Sequence, residues 1–264
     1  MITITERITS RKNQTVIDAS KLADRRYRAQ TGTFALEGIK LFREAARAGA
    51  KIRALFVTDA ALEKYGAEIE KAGCDKIYSV TDDVYSKLST ESAPQGVFAV
   101  ADFFAAAPRE IRGEPIALVL DGVADPGNLG TIIRCADALG VECVYIGDDG
   151  ADVFGPKTVR AAMGSIFRVG TERCSAEDAV LRLRGNGYKV YAAMLDARAE
   201  DIRGIDVSGK IAFVIGNEGH GVSEEVAAAC DGSVVIPMTK GIESLNAAVA
   251  ASLLMWEAAR GRLE

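Results

Sequence analysis

Histidine is almost absent from this chain of 264 residues, where His220 is the only one. A mechanism built on an imidazole base would have to use it, yet its glycine neighbours suit a solvated turn better. Cysteine is sparse and unpatterned: Cys74, Cys135, Cys143, Cys174 and Cys230 make an odd set of five without C-x-x-C spacing. That speaks against a disulfide framework or a zinc cluster, so no metal is expected and a reduced, cytoplasmic protein is. Long apolar runs are missing too, since the longest, within 245–259, holds about a dozen residues against the roughly 20 that span a bilayer. No membrane anchor is expected. No charged-then-apolar segment opens the chain, so nothing reads as a secretory leader. Residues 216–221 read G-x-x-G-x-G rather than the dinucleotide fingerprint G-x-G-x-x-G, and no Walker lysine pattern occurs. A nicotinamide oxidoreductase and a P-loop protein thereby lose their main support.

What is present suits an ordinary globular protein. With 48% hydrophobic and 26% charged residues the chain can bury a core, and its length suits two compact domains. The net charge of −5 speaks against a polyanionic partner until its distribution is considered. Up to residue 28, Arg7, Arg11, Lys12, Lys21, Arg25, Arg26 and Arg28 outweigh Glu6, Asp18 and Asp24 by +4. A local basic face is what nucleic-acid phosphates require, with Arg25, Arg26 and Arg28 placed to meet them. The alternative is a solvated helix face, the commoner fate of a charge run.

Helical spacing over 16–28, 39–45, 60–72 and 82–88 alternates with strand patterns over 33–36, 54–57, 77–80 and 97–103. This predicts a basic helical segment over 1–30 and a small α/β domain over 31–104. Pro108 and Gly113 mark 105–114 as a linker. From 115 to 264 the alternation is more regular, with strands at 116–120, 143–146, 166–169, 189–192, 211–215 and 234–236. Helical patterns separate them at 129–139, 157–163, 176–184 and 223–229, and a last one covers 245–259. Strands rich in Val and Ile with little alternation are buried on both faces, which predicts a mostly parallel sheet between helix layers. The last helix has only Asn246, Ser252 and Glu257 as strongly polar side chains, so it is either a core helix or part of a dimer interface.

Open sheets of this kind bind ligands beyond the carboxyl ends of their strands. Three loops lie there. In 121–130, three glycines and a proline surround Asn128, read as the helix cap, while Arg134 points away from the apolar side of the helix that follows. A helix start with an outward arginine suits an anionic group, and equally a capped helix with a solvated arginine. In 216–221, Glu218 can accept hydrogen bonds from a loop or ligand. In 240–246, Ser244 is a natural cap, with no histidine and acid partner to make it a nucleophile.

Taken in order, NLGTIIR at 128–134, IGNEGHG at 215–221, and IPM at 236–238 followed by ESLNAAVA at 243–250 resemble motifs 1, 2 and 3 of a known family. It is that of the SpoU (TrmH-type) RNA 2′-O-ribose methyltransferases of the SPOUT superfamily, to which KTVRAAMGSIF at 157–167 is also similar. The resemblance covers 116–261, and 33–103 more loosely resembles the ribosomal-protein-like substrate-binding domain of many members. It implies a catalytic domain tied in a trefoil knot, homodimers packed through the last helix, and S-adenosylmethionine as cofactor. Cofactor contacts are implied at Gly216, Ile236, Met238 and Leu245, with Met194 and Leu195 from a neighbouring loop. Asn128, Arg134, Glu218, Ser244 and Asn246 match the family's functional positions. Arg134 matches the residue proposed there to activate the ribose hydroxyl. A guanidinium, with a pKa above about 12, is a poor base, so Arg134 is expected to bind the substrate phosphate and orient that hydroxyl. The acceptor requires RNA, since only RNA carries a 2′-hydroxyl. The additional N-terminal domain favours ribosomal over transfer RNA, and the alternative is a catalytically silent RNA-binding protein on the same fold.

Overall fold

The computed structural model describes residues 2–104, 106, 114–242 and 244–262. The chain divides into two compact units, one of Met1–Ala105 with Phe154–Phe167 and one of Ala106–Val153 with Arg168–Glu264. Apart from 106 and 114, the expected linker lies outside the described residues.

The first unit is built on β1 (Glu6–Ile8), β2 (Thr33–Glu37), β3 (Ile52–Thr58), β4 (Ile77–Val80) and β5 (Val97–Asp102). Their order is β1-β4-β3-β5-β2, parallel from β1 to β3 and antiparallel at β5 and β2. Around them run α1 (Gln14–Ser20), α2 (Arg25–Thr31), α3 (Ile39–Arg47), α4 (Asp59–Ala72) and α5 (Asp82–Leu88). The caps are local: Thr58 accepts from Ala61 N and Thr81 from Val84 N, each followed by an aspartate that suits the positive end of a helix. Residues 1–30, expected to stand apart, are built into this unit, because β1 pairs with β4 and α1 packs on α5.

The single helix expected over 16–28 is broken. A 3₁₀ turn occupies Lys21–Ala23, and Asp24, extended in backbone, restarts the chain as α2 by accepting from Tyr27 N. Arg28 is 3% exposed and donates to the carbonyls of Leu22 and Ala23 at 2.6 and 2.9 Å. Its expected place on an RNA-facing surface is therefore corrected: this guanidinium satisfies the orphan carbonyls at the break. Arg25 and Arg26 remain exposed.

The second unit carries β6 (Ile116–Leu120), α6 (Pro126–Ala138), β7 (Cys143–Ile146), β8 (Gly170–Arg173), α8 (Ala176–Gly185), β9 (Lys189–Ala193), β10 (Glu200–Asp201), β11 (Ile211–Ile215), α9 (Glu224–Ala229), β12 (Gly232–Val235) and α10 (Ala247–Ala259). Between β7 and β8 the chain leaves this unit and forms α7 (Pro156–Ala162) in the first. The aromatic rings explain that: Phe154 packs on Phe34 and Phe103 at 4.7 and 4.5 Å, and Phe167 lies against Phe34 and Phe104. The strand expected over 166–169 is also corrected. Met163 and Gly164 have φ of 53° and 96°, which turns the chain, so Ser165–Phe167 forms a 3₁₀ turn and β8 begins only at Gly170.

All pairings in the second sheet are parallel, in the order β10-β12-β9-β11-β6-β7-β8. β6 and β11 are buried at each position, as their unalternating sequences require. Helices α8 and α9 pack over Ala117, Val119, Ala212 and Val214, while α10 packs on α6, β6 and β11. The chain runs outward through β6, β7 and β8, returns to lay down β9, and then inserts β11 between β9 and β6. That late insertion matters most for the site, because it seats Ile215 beside Leu120 and Val214 beside Ala192. Loops distant in sequence thus leave the sheet along one edge.

Candidate active site

The loop after β6 reaches α6 through Asp125, not Asn128, as the cap. Asp125 Oδ1 accepts from Asn128 N at 2.8 Å, and Pro126 takes the first helical position, where its missing N–H costs nothing. The side chain of Asn128 is thereby released for longer contacts. Its Nδ2 donates to Glu218 Oε1 at 2.7 Å, and its Oδ1 accepts from Asn246 Nδ2 at 3.0 Å. Asn246 is also the cap of α10, accepting from Ala248 N and Val249 N at 3.0 and 3.3 Å. Ser244, expected to cap that helix, lies two residues short of it and lines a cavity instead. Glu243 lies outside the described residues.

The turn at 217–221 is closed by reciprocal backbone bonds between Asn217 and Gly221 at 3.0 and 2.9 Å. Asn217 further donates to Gly122 O and accepts from Gly219 N, both at 2.8 Å, which ties this turn to the loop after β6. Asp121, on that loop, accepts from both the backbone N and Oγ of Ser223 at 2.8 Å. Neither Asn217 nor Asp121 stood out in the sequence, since a loop amide or carboxylate gives no local sign of a partner about a hundred residues away. Gly216 has no room for a side chain: a Cβ there would lie 2.0 Å from the Gly221 carbonyl carbon.

These turns wall a cavity of about 500 Å³, within the range of small-molecule sites. Met194, Leu195, Gly216, Ile236, Met238 and Leu245, the six expected cofactor-contact residues, all line it, as do Glu218, His220 and Ser244. Asn128 and Asn246 stand behind the wall through the Glu218 bond. Arg134 is exposed on α6, with no partner among the described residues and no contact with the cavity. His220 is exposed at the turn. Among the described residues, no cluster of three or more His, Cys, Asp or Glu side chains could hold a metal ion, and no helix is long and apolar enough to cross a membrane.

A parallel sheet with a ligand-sized cavity at its carboxyl edge, preceded by a small mixed sheet, defines an α/β ligand-binding domain of the enzyme type with an accessory domain. Residues 115–256 match the SpoU rRNA Methylase family, and residues 13–99 match the MRM3-like substrate binding domain. The chain is 35% identical over 252 residues to the 23S rRNA (guanosine(2553)-2′-O)-methyltransferase RlmP of Bacillus subtilis, covering 95% of this chain and 98% of that protein. It is similar in structure to the AdoMet-bound rRNA methyltransferase of Sinorhizobium meliloti, with a TM-score of 0.87, 33% identity and 98% of each chain covered. The SpoU methyltransferase AviRb of Streptomyces viridochromogenes, in complex with AdoMet, gives a TM-score of 0.84 at 29% identity, covering 95% of this chain and 98% of that one. The chain belongs to the SpoU rRNA methylase family.

Proposed function

We propose that this protein transfers the methyl group of S-adenosylmethionine to a ribose 2′-hydroxyl of ribosomal RNA in the cytoplasm. The observation that carries the reading is the Asn128 bridge, which fastens the turn of Glu218 and the cap of α10 around one cavity. The residues present fit the cofactor. Leu195, Ile236 and Leu245 offer apolar walls to a flat base, and the Glu218 carboxylate suits a cationic sulfonium. When bound, the cofactor supplies a methyl group already activated for in-line displacement. The protein's task is then mainly geometric, holding the acceptor oxygen about 3 to 3.5 Å from the methyl carbon. Asn128 and Asn246 keep Glu218 and the turns in place for that approach. Arg134, exposed and unengaged among the described residues, binds the substrate phosphate and orients the hydroxyl.

Two further features belong to this reading. Val249, Leu253 and Trp256 form an exposed apolar stripe on α10, 47%, 43% and 51% exposed, which a second copy would cover in a homodimer. The insertion of β11 between strands already laid down, followed by the return of α10 onto α6, is compatible with the trefoil knot that the family implies.

The test is incubation of the purified protein with methyl-labelled S-adenosylmethionine and either ribosomal or transfer RNA. Label is expected in ribosomal RNA as an alkali-resistant dinucleotide, the mark of a blocked 2′-oxygen. Arg134→Ala should abolish transfer while leaving cofactor affinity within a few fold, and replacing Arg25 and Arg26 by alanine should flatten the salt dependence of RNA binding by about 0.7 to 0.9 in slope per lost phosphate contact. Retained RNA without transfer would leave only a binding protein.

A further inference from the structure

Beneath the sheet of the first unit lies a recess of about 120 Å³ that the methyl-transfer reading does not use. Its walls include Ala19, Ala23, Ala35, Phe98 and Val159, the last contributed by α7. The recess exists because Ala19, Ala23 and Ala35 are small: Phe34 and Leu36 are fully buried, whereas Ala35 between them is only partly covered. An apolar cavity of about 150 Å³ admits benzene, so this space is on the scale of one six-membered ring and too small for two fused rings.

Its rim is ionic. The Glu37 carboxylate accepts from Ser89 Oγ, from Thr90 N at 3.1 Å and from Thr90 Oγ1 at 3.4 Å, leaving one of its roughly four acceptor positions open. Arg160 donates to Thr90 Oγ1 at 3.1 Å and lies 3.9 Å from Glu91, so most of its five donors have no partner among the described residues. A simple packing void would not be expected to carry an unfilled acceptor and several unfilled donors at its mouth. A nucleobase needs this combination, apolar contact for its faces and paired donor and acceptor for its edge.

We propose that this recess takes a single pyrimidine base splayed out of the substrate RNA, with Glu37 accepting from its N–H edge and Arg160 donating to a ring carbonyl. The proposal rests on RNA being the substrate. Cytosine offers its amino group to Glu37, and uracil its ring N–H; purines are excluded by size.

Titration of the isotopically labelled full chain with cytidine, uridine, adenosine and guanosine monophosphates, followed by NMR, tests it. The two pyrimidines should shift the methyl signals of Ala19, Ala35 and Val159, and the purines should not. Ala35→Leu, which fills the floor, should weaken binding of substrate RNA by about tenfold, as losing one good base contact does, with cofactor affinity unchanged. If Ala35→Leu fails to fold by circular dichroism, Arg160→Ala at the rim reads the same loss. Absent pyrimidine shifts, or an Arg160→Ala protein that binds RNA as tightly as the native chain, would overturn the proposal. A chain that binds pyrimidines yet transfers no methyl would uphold the recess and defeat the methyltransferase reading, and the converse would do the reverse.

Discussion

Asn128 uses both ends of its amide, one toward Glu218 and one toward Asn246. Removing it leaves a carboxylate and an amide N–H without their partners, and a hydrogen bond to a charged group contributes about 1.5 to 3 kcal/mol. Asn128→Ala is therefore expected to lower kcat by about ten- to a hundredfold. Glu218→Gln should lower it too, and the double variant should fall short of the product of the two losses, since neighbours in one network couple by about 0.5 to 3 kcal/mol. A double-mutant cycle on kcat that is additive within about 0.5 kcal/mol would show that the two residues act separately.

At the scale of the element, α10 joins two environments on one helix. Its inner face buries Ala247, Ala248, Ala251, Leu254, Met255 and Ala258, and its outer face exposes Val249, Leu253 and Trp256 at i, i+4 and i+7. Trp256→Asp places a charge on the outer stripe and leaves the inner packing alone. The native protein should scatter light as a dimer and this variant as a monomer with nearly the same circular dichroism. A native monomer at micromolar concentration would remove the stripe from the dimer reading. Helices α1 and α2 give a contrasting case: one periodic pattern divided by Asp24, with the charge of Arg28 turned inward to hold the break. Periodicity in the sequence places the helical residues correctly and cannot register such a break, which depends on which carbonyl a long side chain reaches.

Across the whole molecule, burial holds several weak acids neutral. It pushes Cys74 up to about 11 and Cys143, Tyr145 and Cys230 up to about 12, from ordinary values of 9.0 for a thiol and 10.0 for a phenol. Above pH 9.0 the unfolded chain releases these protons while the folded one keeps them, so the folded state binds more protons and its stability falls as pH rises. The loss begins near pH 9.0, at the unfolded thiol value, and continues toward about 12. Thermal unfolding should give a Tm unaffected by these groups below pH 9 and decreasing beyond it. A Tm that stays level to pH 10.5 would show that the unfolded chain shields these groups as well.

By itself the sequence determined what is local: the helix and strand periods, the two-sided burial of β6 and β11, the small-residue turns, and through three motifs the family. The six residues expected around the cofactor do share one wall. The structure puts the caps of α6 and α10 on Asp125 and Asn246 rather than on Asn128 and Ser244, and tertiary structure alone decided that residues 154–167 join the first unit. Periods depend on residues a few places apart, so they leave marks in the order of residues, whereas a loop rich in polar residues offers several caps and only the backbone geometry selects one. The bonds that build the site join residues 90 and 118 positions apart, and they exist only because β11 settles between β9 and β6.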